Sequence, residues 1–277
     1  MIQLSATSIL LPSLFPTSWA SEWGEDEFGL YLDWNYEGIV QRFRWILPGT
    51  FTMGSPEIEA ERGRDEAQHL VTLTQGFWLA DSVCTQALWL AVMGGDNPAR
   101  FQDSPNHPVE QVSWDDVQQF IQTLNTQIPD LQARLPTEAE WEYACRAGTT
   151  TPFSFGETIT PESVNYDGTF PYAGAEKGLF REKTVSVKSL PPNPWGLYEM
   201  HGNVWEWCAD WYGDYPTVAV VDPSGPSMEQ ECRVLRGGSW FDYAWWARSA
   251  YRNGLEPDYR NNSIGFRLAL GRKVGAS

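Results

Sequence analysis

RLPTEAEWEYACRAG, Arg134 to Gly148, is the most sharply bounded element of the chain. Thr137 and Glu140 stand at the spacing of a capping box, Trp141, Ala144 and Cys145 share one face, and Gly148 supplies a stop, which predicts a short amphipathic helix. Two further helices are legible upstream. CTQALWLAVMGG, from Cys84, has Thr85 as N-cap and Gly94 as terminator. SWDDVQQFIQTLN, from Ser113, pairs Ser113 with Asp116 at capping distance and aligns Val117, Phe120, Ile121 and Leu124. Before them, GLYLDWNYEGIVQRFRWILPGTFTMGS (29–55) reads as strand, turn, strand, with Val40, Phe43 and Trp45 suited to a half-buried sheet. After Gly148 helical periodicity stops. Residues 149–230 are rich in Gly, Pro, Asn and aromatics and read as long ordered loops, and SIGFRLAL (263–270) returns to strand, with Ile264, Phe266 and Leu268 on one face. The sum is a loop-rich α+β domain with two to three helices early and irregular structure late.

The 277 residues carry no repeat and no linker, and fit an N-terminal arm over 1–25 followed by a single domain over 26–272. Fifteen Trp and 24 Gly indicate irregular backbone pinned by rings. A net charge of −17 argues against nucleic-acid partners and anionic membrane surfaces, since both require clustered Lys and Arg. The apolar N-terminal patch has no preceding basic residue and is too short to span a bilayer. Cys84, Cys145, Cys208 and Cys232 are widely spaced without a CxxC, as expected of free thiols in a reducing cytoplasm.

Four segments occur in order: RLPTEAEWEYACRAG, NPWGLYEMHGNVWEWCADWYG (193–213), RVLRGGSW (233–240) and RNNSIGFRLA (260–269). Together they resemble the signature segments of the formylglycine-generating enzyme (sulfatase-modifying factor) family, from about Phe43 to Leu270. The resemblance implies a C-type-lectin-like fold with small antiparallel sheets, flanking helices and ordered loops. The family's oxidases hold copper with two cysteines shortly after GGS. Here the position of the first is Asp242, and no cysteine follows Cys232, so no copper and no formylglycine-generating activity are expected. A related branch uses non-haem iron held by histidines from an added helical domain. The three histidines here, His69, His107 and His201, have no such domain and read as structural.

Within the family, GGSWFDYAWWARSAYRNGLEPDYRNNSIGFRLA (237–269) is most similar to the variable proteins of diversity-generating retroelements. Arg236 to Trp240, Arg248 to Ala250, Arg252, Pro257, Asp258, Arg260 and Gly265 to Leu268 match that group's constant frame. Phe241, Asp242, Tyr243, Trp245, Trp246, Tyr251, Asn253, Gly254, Leu255, Glu256 and Tyr259 fall at the positions that vary, within a segment of about 237–268. Seven aromatics lie between 240 and 260, where the chain's 14% would give about three. They follow neither helical nor strand period, so the segment reads as a loop displaying large, rotor-poor side chains. Arg248 and Arg252 read as structural.

The sequence thus describes a non-enzymatic ligand-binding protein, expected to be a monomer, whose variable surface meets a protein or small ligand. The alternative is a sulfatase-modifying or related oxidoreductase with an atypical site. The family resemblance also implies a structural calcium within GLYEMHGNVWEW, held by Glu199, the carbonyls of Gly202 and Val204, and Glu206.

Overall fold

The computed structural model describes residue 12 and residues 15–271. Three sheets carry the fold. The first has six strands, built from β1 (Glu22–Asp26), β2 (Gly29–Tyr36), β3 (Ile39–Ile46), β6 (Phe77–Ala80), β13 (Ala269–Leu270) and β7 (Ala133–Arg134), adjacent in that order. The second has four, β11 (Arg252–Leu255), β10 (Arg233–Arg236), β8 (Trp205–Trp211) and β12 (Ile264–Gly265). The third joins β4 (Gly49–Met53), β5 (His69–Leu73) and β9 (Val220–Val221). Helices α1 (Gln86–Met93), α2 (Trp114–Gln127) and α3 (Glu138–Arg146) pack against them.

Local chemistry explains these elements. The β2–β3 hairpin pairs Tyr36 with Ile39, and its two turn residues, Glu37 and Gly38, both take the left-handed backbone that matches strand twist. Ser113 and Thr137 each complete a reciprocal capping box, with Asp116 and Glu140, and Thr85 caps α1 before Gly94 ends it. Val117, Phe120, Ile121 and Leu124 are buried along α2, and Trp89, Phe120 and Phe266 join through ring contacts in the largest apolar cluster. Trp141, Ala144 and Cys145 anchor a second cluster under β8 and β10.

Three expectations are corrected. Residues 149–230 are not all loop, because β8 crosses the centre of the second sheet. Its first four residues are all buried, and a strand covered on both faces shows no alternation to read. SIGFRLAL is not one strand: Ile264–Gly265 runs parallel to β8, whereas Ala269–Leu270 pairs with β6 and β7 in the first sheet. Val40 faces solvent while Phe43 is buried, as their opposite parity on β3 requires. The sheet begins at Glu22, within the expected arm. Phe15 and Trp19 already pack on Trp78 and Phe43, while the start of the arm lies outside the described residues. Among the described residues no helix is long and apolar enough to cross a membrane. All four cysteines are free.

Candidate ligand-binding face

Three buried arginines form the base beneath residues 237–259. Arg236 reaches Glu142 at 2.5 Å and the carbonyls of Ser249 and Ala250. Arg248 makes hydrogen bonds of 2.7 and 2.8 Å to Glu66 and contacts Glu59 at 2.5 Å. Arg252 grips both oxygens of Glu138 at 2.8 Å. Each charge is desolvated but paired in geometry suited to guanidinium, so the backbone of the segment is held from below at three points.

Gly237 and Gly238 turn the chain out of β10, both with positive φ. A Cβ on Gly238 would sit about 3.0 Å from the backbone of Trp246 and Ala247, so only glycine lets the loop close on itself. The loop then makes one turn of 3₁₀ helix, Ala244–Ala247. His201 supports that turn. Its Nε2 accepts the Ser154 amide at 3.1 Å, so its Nδ1 carries the proton and donates to the Ala247 carbonyl at 2.7 Å. Burial lowers the His201 pKa to about 4, which keeps the ring neutral.

On the outer side the rings make an edge-connected surface. Tyr243 lies 4.1 Å from Phe170 and 4.7 Å from Trp245, centroid to centroid, and Trp246 stacks near Tyr251. Trp240 meets Phe101 edge-on and lies parallel to Phe180, with Phe241 tilted beside it. Phe241 is 54% exposed and Tyr259 42%. Trp245, Trp246, Tyr243, Tyr251, Asn253 and Leu255 are half-buried, and Glu256 is exposed. Arg260, in the constant frame, is pinned to Asp116.

Asp242 does not belong to the displayed set. It is 2% exposed, and its carboxylate accepts the Ser239 hydroxyl at 2.5 Å while its carbonyl accepts the Asp167 amide. Burial pushes its pKa up to about 6, against the opposing hydrogen bonds from Ser239 and Trp205. A carboxylate next to displayed rings in sequence reads as displayed, but the loop folds it inward to brace Ser239. The flanking rings Phe101, Phe170 and Phe180, outside the segment, were missed. Their signal was the aromatic content of loops that lacked any core periodicity.

The implied calcium does not fit the residues as they stand. Both oxygens of the fully buried Glu206 are bound by Arg267 at 2.6 Å, and Trp141 Nε1 adds a third donor at 2.7 Å. Glu199 accepts the Lys188 amide with one oxygen and leaves the other without a partner, and burial pushes its pKa up to about 8. That leaves the carbonyls of Gly202 and Val204, both buried, without an unpaired ionised carboxylate beside them. Among the described residues no three His, Cys, Asp or Glu side chains gather as a metal site. The buried charge of Glu206 is offset by Arg267 of the constant frame. His107 bonds Thr184 and His69 bonds the Ala67 carbonyl, both as structural groups. Cys145 lies 3.7 Å from His201 Nε2, but burial pushes the thiol up to about 12, which removes the thiolate a nucleophile needs.

An aromatic loop carried outward from a rigid, ion-paired base on a C-type-lectin-like, formylglycine-generating-enzyme-like scaffold defines a class of loop-presenting α+β domain. The chain belongs to the family described as the sulfatase-modifying factor enzyme 1-like domain, which matches residues 37–272. It is 37% identical over 229 residues to a formylglycine-generating enzyme of Streptomyces coelicolor, covering 76% of this chain and 70% of that one. The formylglycine-generating enzyme of Mus musculus is 35% identical over 205 residues, covering 68% of this chain; the chain thus spans about half, 52%, of that relative's length. Among solved structures, Treponema denticola variable protein 1 superposes with a TM-score of 0.73 at 28% identity, covering 87% of this chain and 98% of that one.

Proposed function

We propose that this protein is a non-enzymatic ligand-binding protein that displays a diversified aromatic surface over residues 241–259. The observation that carries this reading is the division of labour within one segment. The frame residues Arg236, Arg248 and Arg252 are buried and ion-paired, whereas Phe241 and Tyr259 open to solvent and the rings between them are half-covered. Such an arrangement lets outer side chains change without disturbing the base. Where the family's oxidases place a copper-binding thiolate, Asp242 supplies a buried carboxylate hydrogen-bonded to Ser239, and the three fully buried thiols are held in their protonated form.

The test is the codons for 237–268 in independent isolates. Substitutions confined to the outer positions, with Arg236, Arg248, Arg252 and Gly265–Leu268 unchanged, are expected, together with a neighbouring reverse transcriptase and a near-copy of the segment. Incubating the protein with copper, oxygen and a sulfatase-type Cys peptide should yield no aldehyde by mass spectrometry. Catalytic formation of formylglycine would overturn the reading in favour of the oxidoreductase.

A further inference from the structure

A cavity of about 440 Å³ lies apart from the aromatic face, under the loop of residues 213–226. Met53, Ala139, Trp211 and Val220 give it apolar walls, and Asp210 reaches it from β8. The volume is that of a small-molecule site, and the walls are mostly apolar in area, although Glu138, Arg252 and Tyr215 also reach the cavity.

We propose that this cavity binds a small organic amine, with Asp210 as its counter-ion. Asp210 is buried, and one of its oxygens accepts the Glu138 amide at the start of α3 at 2.8 Å. The neighbouring charges favour a cation over an anion. Glu138 on α3 is shared between Arg252 on β11 and Arg236 on β10, and Glu140 is paired with Arg134, so these charges are spent on one another and Asp210 is left with no ion pair among the described residues. Arg233 on β10 lies on the far side and is held over the Trp114 and Trp211 rings. Asp214 is exposed beside the cavity, and the chain as a whole carries −17, which raises the local concentration of cations. Burial, with Glu138 beside it, pushes the Asp210 pKa up to about 8, so the empty site holds a neutral acid. An ammonium ion replaces that proton: Asp210 releases H⁺, and the ionised carboxylate keeps the Glu138 amide as donor while pairing with the ammonium.

The probe is phenethylamine, which stays protonated from pH 6 to 8, compared with phenethyl alcohol by calorimetry. Saturable binding of the amine, about fiftyfold weaker at pH 6 than at pH 8, is expected from the fraction of Asp210 ionised in the free protein. The Asp210→Asn variant should bind weakly and without pH dependence. His69 also lines the cavity and is unchanged in this variant. Val220→Phe keeps the carboxyl and fills the space, so it should abolish binding while the far-ultraviolet circular dichroism is unchanged. Absence of amine binding, equal binding of the alcohol, or an unaltered pH dependence in Asp210→Asn would each overturn the proposal.

Discussion

Arg248 and Glu66, 182 residues apart, meet through hydrogen bonds of 2.7 and 2.8 Å in a site closed to solvent. The pair ties the display loop to the segment between β4 and β5, and Glu59 and the carbonyls of Glu61 and Trp245 complete the guanidinium's partners. Removing the arginine strands two buried carboxylates. Arg248→Met should therefore lower stability by about 3–5 kcal/mol in denaturant unfolding. Arg248→Lys should recover only part of that loss, because one ammonium cannot reproduce the fork. A change within error for Arg248→Met would mean the segment is not held from below.

The exposed rings should behave in the opposite way. Phe241→Ser and Tyr259→Ser together are expected to cost under about 1 kcal/mol, as surface changes do. Trp246→Ser should cost more, because that ring packs against the main cluster. Trp141→Ala, which empties a buried site and removes a donor from Glu206, should cost about 3–5 kcal/mol. Chemical unfolding of the three variants on one scale checks the ranking, and a Phe241/Tyr259 cost equal to that of Trp141 would make those rings core.

The helices were legible because their signals are local, whereas the constant arginines were legible through the family resemblance. Caps, stops and a 3.6-residue stripe lie within one turn or two, and Ser113, Thr137 and Gly94 act where they were expected to act. The strand β8 was not legible because Trp205, Glu206, Trp207 and Cys208 are all buried, so no polar face marks its period. The inward turn of Asp242 and the pairing of Glu206 with Arg267 were hidden for a different reason. Both depend on contacts that the tertiary fold creates, the second across 61 residues.

Asp242 gives the display loop a pH signature. Its folded pKa of about 6 is raised by burial above the unfolded value near 3.9, so the folded state binds the extra proton. The stability this contributes is fully present below about pH 4 and is lost as pH rises through 6. Relative to Asp242→Asn, the native protein should lose about 2 kcal/mol between pH 4 and 7. Trp205, whose indole acts on the carboxylate, should report the titration with a midpoint near 6, absent in the variant. Parallel stability curves for the two proteins would show that the carboxyl is not desolvated.

The Glu206–Arg267 pair decides how the protein responds to calcium. The carboxylate already has three donors within 2.7 Å, two from Arg267 and one from Trp141, so a cation would have to displace the guanidinium to enter its shell. Displacement would leave Arg267 buried without its partner, a penalty of several kcal/mol that calcium coordination must exceed. Melting curves with chelator and with millimolar calcium are therefore expected to coincide. Glu206→Gln should destabilise by about 3–5 kcal/mol whether or not calcium is present, since the loss is that of the ion pair. A bound ion would give a different pattern: stabilisation growing with free calcium, about 2.7 kcal/mol at one hundred times the dissociation constant, and vanishing in Glu206→Gln. That outcome would place Glu206 on a metal and require Arg267 to turn away from it.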